Sequence, residues 1–347
     1  MCHKLNWMFL AAAVMVLAVG IAQAVTIDVV PVGNPGNAGE LSGSSAAGGY
    51  GGPDRICGAV DYAYNIGKYE VTAGQYTAFL NAVGGVDTYA LYNTTMSRTD
   101  YGSGIARSGG GILGNPYTYT VAADFGNRPV NYISWGDAAR FANWLHNNQP
   151  TGAQGASTTE DGAYYLNGAT SDAALLAVNR EADWKWAITN EDEWYKAAYY
   201  KGGGTNAGYW DFPTSSDTAP GQDMADVSGN NANYYTAPYA YPIDSGKYTT
   251  LVGEFQNSDS PYGTFDQGGN VWEWNEAIPY SSSRGLRGGS FIFDSDLLLA
   301  SYRFSFAPTS EGSDVGFRVA SIPEPGSLVM LAGIALTALL YYWRKNA

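Results

Sequence analysis

Residues 269–274 are Gly-Asn-Val-Trp-Glu-Trp, and this stretch constrains the fold more than any other part of the chain. Gly269 permits a tight backbone turn, and Trp272 and Trp274 can fix the surrounding loops by burying large aromatic rings. Two short segments follow, Arg-Gly-Gly-Ser at 287–290 and Gly-Phe-Arg at 316–318. We expect both of their arginines to be structural, each paired with a carboxylate or with backbone carbonyls.

The composition fits a loop-rich globule that is held together by aromatic side chains. The 347 residues include 44 glycines, 27 tyrosines and 10 tryptophans, while charged residues make up only 14%. The formal net charge of −14 argues against nucleic acid or anionic lipid as a partner, because phosphate binding depends on Lys and Arg. It is compatible with an exported protein and with carboxylates that bind a hard cation such as calcium.

The first 24 residues have the features of a secretory signal. Lys4 precedes an apolar run over 9–21, and residues 22–24 are Ala-Gln-Ala, a cleavage site of the A-x-A type. An uncleaved membrane anchor is the alternative. Residues 25–61, rich in Gly, Ser and Ala over 33–53, are expected to form a flexible lead-in, with order beginning near Tyr62.

Cleavage would leave one thiol and one imidazole in the mature chain, Cys57 and His146. A single thiol cannot form an internal disulfide, so Cys57 is expected to be a buried or semi-buried thiol. His146 is expected to end a helix, where a cationic side chain offsets the helix dipole. One His and one Cys exclude the clustered ligands that most transition-metal sites require.

Residues 322–347 contain three consecutive features. Pro323, Glu324 and Pro325 are followed by an apolar stretch over 327–343 and by the basic pair at 344–345. About 17 apolar residues is the lower limit for a membrane span, and the basic pair would stay on the cytoplasmic side. The arrangement resembles the PEP-CTERM sorting signal. That resemblance implies cutting by an exosortase-type transpeptidase and delivery to the envelope, outer surface or extracellular matrix, with a plain tail anchor as the alternative.

Three helices are predicted from their capping residues and apolar spacing. Between the first two, residues 84–127 show no clear periodicity, and we expect a long surface insertion there. After Gly202 we expect only short strands and turns until the C-terminal tail, and the whole therefore belongs to the α+β class. The predicted caps are Thr72, Ser134 with Asp137, and Asn190 with Glu193, with Thr189 and Asp192 as an equally allowed register for the third.

Four segments in this order resemble the formylglycine-generating enzyme, or sulfatase-modifying factor, domain. The resemblance covers about residues 62–321 and implies a C-type-lectin-like fold. The segments are Tyr69-Glu70-Val71-Thr72 with Tyr76 and Phe79; 128–135 with Asp137, Ala138, Trp144 and Leu145; 190–194 with Ala197 and Ala198; and 269–274 with 287–290 and 316–318.

The resemblance also implies calcium, held by side-chain and carbonyl oxygens. One site would use the side chains of Asp266 and Glu273 and the carbonyls of Gly269 and Val271. The alternative is that Asp266 and Glu273 cap turns or pair with arginine. A second site, aligned across loops of variable length, would use the side chains of Asn233 and Asp244 with the carbonyls of Tyr234 and Gly246.

The redox site of the resembled family is not carried over. Formylglycine formation, as the resemblance implies it, uses two cysteines shortly after the Gly-Gly-Ser segment, and the matching positions are about Phe293 and Leu298. Neither side chain can bind Cu(I), so copper is not expected and no catalytic residue is assigned. We therefore expect a non-catalytic ligand-binding or structural module, its ligand a carbohydrate or a protein. A divergent formylglycine-generating oxidase acting on sulfatases is the alternative.

Overall fold

The structure, a computed structural model, describes residues 24–49, 51–236 and 243–323. The predicted signal up to residue 23, and the sorting signal from Glu324 onward, lie outside these residues. The strands are β1 (Val29–Val32), β2 (Glu40–Ser42), β3 (Arg55–Cys57), β4 (Tyr64–Gly67), β5 (Ile105–Ser108), β6 (Thr118–Val121), β7 (Trp186–Ile188), β8 (Trp272–Trp274), β9 (Arg284–Arg287), β10 (Phe304–Phe306), β11 (Val315–Gly316) and β12 (Val319–Ser321). The helices are α1 (Ala73–Val83), α2 (Trp135–His146), α3 (Asp172–Leu176) and α4 (Glu191–Tyr199), with short 3₁₀ helices at Thr94–Ser97 and Ser295–Leu298.

Two four-stranded sheets form the framework. In the first, of order β1-β4-β12-β7, all pairs are antiparallel, and Ala320 lies opposite both Ile66 and Ala187. In the second, of order β10-β9-β8-β11, β11 runs parallel to β8 and the other pairs are antiparallel. Strand β8, which carries Trp272 and Trp274, is an inner strand of that sheet. The mixed, loop-rich architecture with few short helices confirms the predicted α+β class.

Each predicted helix begins at its predicted cap. The Thr72 hydroxyl accepts from the Gln75 N–H while the Gln75 side chain accepts from the Thr72 N–H. Reciprocal pairs of the same kind join Ser134 to Asp137 and Asn190 to Glu193, so the alternative register at Thr189 is not used. Such caps satisfy backbone donors that the first helical turn leaves without partners, an effect of about 1 kcal/mol each.

Aromatic rings from α1, α2 and β11–β12 meet in the centre of the core. The Phe79 and Phe141 rings lie 5.3 Å apart, Phe79 and Trp144 also 5.3 Å, and Phe141 and Phe317 5.4 Å. Edge-to-face pairs of this kind add to the stabilisation that burial provides. Trp274 is fully buried, and its indole N–H donates to the Ile133 carbonyl at 2.7 Å, which confirms that this tryptophan fixes a neighbouring loop.

The structure differs from the sequence prediction at the expected lead-in, 25–61. Strand β1 pairs with β4, with Val30 opposite Ile66, and β2 pairs with β3. The Ser42 hydroxyl donates to the Ala300 carbonyl at 2.8 Å. These partners are far away in sequence, so local composition rich in Gly and Ser does not indicate them.

The expected surface insertion over 84–127 is also integrated into the fold. Strands β5 and β6 form a hairpin that packs on α1. The Tyr119 hydroxyl donates to the Gly84 carbonyl, and the Asn81 side chain bonds both backbone groups of Tyr119. Ile105 and Tyr119 are buried, so this segment extends the core beneath it.

Candidate functional site

Two buried clusters of charge surround the predicted site residues. The first, here called the arginine cluster, consists of Glu191 at the start of α4 and the guanidinium groups of Arg55, Arg287 and Arg303. Arg287 Nη2 lies 2.8 Å from Glu191 Oε1, and Arg303 Nη2 lies 2.7 Å from Oε2. Burial alone would raise the pKa of Glu191, but Arg287 and Arg303 lower it to about 2. Arg287 is thus paired with a carboxylate, as its position in the sequence predicted.

Cys57 lies inside the arginine cluster. Its thiol is fully buried, 3.3 Å from Arg287 Nη2 and 3.5 Å from Arg55 Nη1. Burial raises the pKa of this thiol. A buried thiol with a raised pKa is a poor nucleophile, because the thiolate is the reactive form.

The second cluster, here called the carboxylate cluster, consists of Glu70, Asp266, Glu273 and Arg318. The Glu273 carboxylate accepts bonds of 2.6 Å from both Arg318 Nε and Nη2, and one of 2.7 Å from the indole N–H of Trp194. Three of its roughly four acceptor positions are therefore occupied. The sequence left two roles open for Glu273, calcium binding or a cap or arginine-pairing role. In the structure, Glu273 pairs with Arg318.

Asp266 follows a loop that turns back onto the cluster. Its Oδ2 accepts the Gly253 N–H at 2.6 Å, and its own φ is +60°. Burial raises the pKa of Asp266 to about 6, while the Gly253 bond and Arg318 lower it. The sequence prediction that Asp266 and Glu273 lie in one site is consistent with this placement, since the charge of Glu273 contributes to raising the pKa of Asp266.

Gly269 and Val271 form the tight turn between these two carboxylates. Gly269 has φ +84°, and a Cβ added there would lie 2.2 Å from the Asn233 carbonyl oxygen. Only glycine fits so close a backbone approach in this conformation. Val271 is fully buried.

Glu70, which sequence reasoning did not assign to the site, has no hydrogen-bonding partner there. It is 2% exposed, and neither of its carboxylate oxygens accepts a hydrogen bond from another residue that the structure describes; its own backbone N–H lies near enough to lower its pKa but forms no well-aligned bond. Burial and then the neighbouring Asp266 raise the pKa of Glu70 well above its usual range. The only sequence signal was a glutamate placed directly before a buried valine and a helix cap, where a carboxylate is seldom buried unless paired.

The residues of the second predicted calcium site lie around Asn233. The Nδ2 of Asn233 donates to the Tyr248 carbonyl at 2.9 Å, whereas its Oδ1 is buried and accepts nothing within the described residues. Asp244 pairs with Arg128, and the Tyr234 carbonyl accepts from Gln222.

Gly246, the fourth residue of that set, lies on the exposed turn after Asp244, with φ +71°. Within 24–49, 51–236 and 243–323, no three His, Cys, Asp or Glu side chains are grouped as a metal site. Any cation here would depend on amide and carbonyl oxygens as well as carboxylates.

The two positions that match the family's cysteines hold packed apolar side chains. Leu298 is fully buried, and the Phe293 ring lies 5.8 Å from that of Trp272. Next to them, Ser290 Oγ donates to Asp314 Oδ2 at 2.7 Å. Burial raises the pKa of Asp314.

His146 ends α2, as predicted, but its charge state differs from the prediction. Burial and then Lys185 lower the pKa of the imidazole, and its Nδ1 accepts the Lys185 N–H at 3.2 Å. An accepting nitrogen belongs to a neutral ring, so at neutral pH this side chain serves as a hydrogen-bond acceptor rather than a cation at the helix end.

Two adjoining clefts lie on the surface above the carboxylate cluster. One, of about 550 Å³, is lined by Glu70, Gly253 and the start of α1, and the other, of about 620 Å³, is lined by residues 121–128 and by Lys247. Both include Gly126, Asn127 and Leu251 in their walls, and together they form what we call the Asn127 groove. Its lining mixes polar side chains, such as Gln75 and Asn127, with apolar ones, such as Ile27, Leu251 and Val252.

No helix in the part of the chain that the structure describes is long and apolar enough to span a membrane. Comparison with solved structures finds similar folds in Treponema denticola variable protein 1 (20% identity, TM-score 0.51, 85% of this chain and 95% of that one) and in CarF (21% identity, TM-score 0.51, 86% and 99%). PvdO from Pseudomonas aeruginosa is 20% identical with a TM-score of 0.47, covering 85% and 94%. At these identities the likeness concerns the fold alone, and a comparison with curated proteins finds no match.

The sequence itself matches the family described as Sulfatase-modifying factor enzyme 1-like domain over residues 57–322. That range begins at Cys57 and ends just after β12, so it includes the carboxylate cluster and the arginine cluster except for Arg55. The loop-rich α/β fold is consistent with a C-type-lectin-like architecture. Because the match covers most of the chain, this protein belongs to the sulfatase-modifying factor enzyme 1-like domain family.

Proposed function

We propose that this chain is a non-catalytic ligand-binding module built on the sulfatase-modifying-factor scaffold. The observation that carries the proposal is the filling of the two cysteine positions by Leu298, which is fully buried, and by Phe293, which is partly buried against the core. Cu(I) chemistry requires soft sulfur ligands. The remaining thiol of the mature chain, Cys57, is buried beside Arg287 rather than near these positions.

The Asn127 groove is the binding surface that we propose. Pockets for apolar small molecules are mostly lined by hydrophobic and aromatic side chains, whereas this open groove places polar side chains beside apolar ones such as Leu251. Asn127 is exposed at its centre, and its amide can both donate and accept hydrogen bonds. An open groove with this mixed lining suits a carbohydrate, which has both hydroxyl groups and apolar ring faces.

A glycan array with the purified protein tests the binding proposal. We expect binding to a limited set of glycans, and we expect Asn127→Ala to abolish it. Gln256→Ala is the matched control, since Gln256 is exposed on the surface beyond Glu254 and lies outside the groove lining. A protein captured by pull-down through the same groove, with no glycan bound, would replace the carbohydrate by a protein ligand.

A separate assay tests the absence of catalysis. The protein, loaded with copper, is incubated with a peptide that contains Cys-x-Pro-x-Arg, and aldehyde is sought by mass spectrometry. We expect none. Aldehyde formed in proportion to enzyme concentration would establish the oxidase alternative instead.

We also propose that calcium stabilises the loops around Asn233 and Asp266. The buried Asn233 Oδ1, which accepts no hydrogen bond within the described residues, is an oxygen of the type that calcium binds. Calcium should raise the melting temperature, and Asn233→Ala should remove part of that rise. An unchanged melting temperature at millimolar calcium would contradict the proposal.

We propose further that the protein is exported and then sorted. Support comes from the signal-like residues 1–24 and from the sequence that begins at Pro323 with Pro-Glu-Pro and ends with an apolar stretch and a basic pair. An exosortase-type enzyme is the expected partner. Cell fractionation should find the full chain at the envelope or in the matrix, and a chain truncated after Ile322 should appear in the medium; envelope retention of the truncated chain would contradict sorting by this signal.

A further inference from the structure

We infer that the cation of the Asp266 loop is held by the carboxylates of Glu70 and Asp266, and that Glu273 is not among its ligands. This inference deepens the calcium part of the proposed function and relies on it for the identity of the metal. It reassigns one ligand of the set that the family resemblance implied, and it adds Glu70, which that set did not contain.

The first argument is the charge balance of the carboxylate cluster. If all three were ionised, Glu70, Asp266 and Glu273 would bring three negative charges into a buried space where Arg318 supplies one positive charge. An excess of two buried negative charges is unfavourable unless protons or cations balance it. A divalent cation would supply the two positive charges that the cluster lacks.

The second argument is the distribution of hydrogen bonds within that cluster. Glu273 already accepts three short bonds, from Arg318 and Trp194. Glu70 is equally buried and accepts none from the described residues. Buried polar groups are almost always satisfied, so two unsatisfied oxygens on one side chain indicate a partner that is neither a backbone nor a side-chain donor.

The third argument is access. Glu70 and Gly253 line the same cleft of about 550 Å³, and the Gly253 N–H is bonded to Asp266. Calcium takes six to eight oxygen ligands, of which several are commonly water. Asp266 does not line the cleft and the Glu70 oxygens are buried, so the cation would lie beneath the cleft and its water ligands would enter past the Gly253 loop. A cation there would also fix the Gly253 loop, which forms one wall of the Asn127 groove.

A proton shared between Glu70 and Asp266 is the competing explanation, and one substitution separates the two. Glu70→Gln keeps the size of the side chain and imitates a protonated carboxyl group, so the variant is expected to fold. If a cation is bound, the variant loses the ligand. If a proton is shared, the variant reproduces the native state and calcium has no effect on either protein.

The experiment titrates calcium into the chelator-treated protein by calorimetry and follows the melting temperature. We expect wild-type protein to bind, and Glu70→Gln to weaken the binding at this loop by about 100-fold or more. Asp266→Asn should do the same. Glu181→Gln is the matched control, because Glu181 is exposed on another part of the surface and does not line this cleft, and its binding should be unchanged. Terbium, whose emission Tyr69 can sensitise, gives a second readout that does not depend on stability.

The outcomes separate this inference from the proposed function. Wild-type protein that binds no calcium would overturn both. Binding that survives Glu70→Gln but is lost in Glu273→Gln would overturn the inference and retain the calcium proposal with the family's ligand set. Asn233→Ala removes an oxygen from the second predicted calcium site. If the number of calcium ions bound per chain falls by one, this variant shows which of the two sites was lost.

Discussion

The arginine cluster and the carboxylate cluster are both buried, and they differ in how completely their charges are balanced. In the first, Glu191 meets three guanidinium groups, and the remaining donors of Arg287 reach the carbonyls of Ala300 and Tyr302. In the second, Glu273 accepts three hydrogen bonds while Glu70 accepts none from another described residue. A cluster whose charges and hydrogen bonds are all balanced needs only a structural role, whereas an unbalanced cluster indicates that a partner is missing. The same substitution, Glu to Gln, should therefore have opposite effects in the two clusters.

Removing Arg287 should produce the largest effect. Its side chain is fully buried, and Arg287→Ala would leave Glu191 without its main partner and two carbonyls without a donor. Breaking a buried ion pair from one side costs about 3–5 kcal/mol, and we expect a loss of this size in the free energy of unfolding. Chemical denaturation measures it. Arg98→Ala, which breaks the exposed Arg98–Asp100 pair, is the control and should leave that free energy unchanged. Equal losses in the two variants would show that the buried cluster contributes no more to stability than an exposed ion pair.

Acid should destabilise the protein through Glu191. Its pKa is about 2 in the folded state against 4.5 for an ordinary glutamate, so the folded state binds the proton less well than the unfolded state. The stabilisation is therefore complete above pH 4.5 and is lost as the pH falls toward 2. The difference corresponds to about 3 kcal/mol. Denaturation curves between pH 6 and 2.5 should show the loss, and Glu191→Gln should flatten that dependence while lowering stability at pH 7.

Glu70→Gln should act in the opposite direction when calcium is absent. Because burial raises the pKa of Glu70, folding at pH 7 must either bury its charge or protonate it. Glutamine avoids both costs, so we expect the free energy of unfolding to rise by about 1–3 kcal/mol in chelator. With saturating calcium the order should reverse, because only the wild-type protein gains the binding energy. Melting curves with and without calcium measure both. A loss of stability in chelator would mean that Glu70 is satisfied in solution.

The helices and the aromatic core could be predicted from the sequence because their causes are local. Thr72 and Gln75, or Asn190 and Glu193, lie three residues apart, so the capping pattern is visible in one dimension. Strand β1 could not be predicted, since its partner β4 is more than thirty residues away and its flanks are rich in glycine.

The candidate site was predictable only in part, for a related reason. Asp266 and Glu273 were found because they flank a recognisable glycine turn. The choice between arginine and calcium for Glu273 depended on Arg318, 45 residues further along the chain. Glu70 was missed because its importance lies in the absence of a donor, which is a property of three-dimensional surroundings and not of any residue pattern.

The smallest effect concerns the edge of the arginine cluster. Arg55 is 39% exposed, and its bonds to Asp192 and Glu191 lie where water screens them, so Arg55→Ala should lower the free energy of unfolding by less than about 1 kcal/mol. The same guanidinium covers Cys57 from one side, at 3.5 Å. We therefore expect native wild-type protein to resist a thiol reagent such as Ellman's reagent, and Arg55→Ala to react measurably faster at nearly unchanged stability. If wild-type Cys57 reacts at the rate of the denatured chain, the arginine cluster opens readily in solution. Its complete set of hydrogen bonds would then not make this part of the protein rigid.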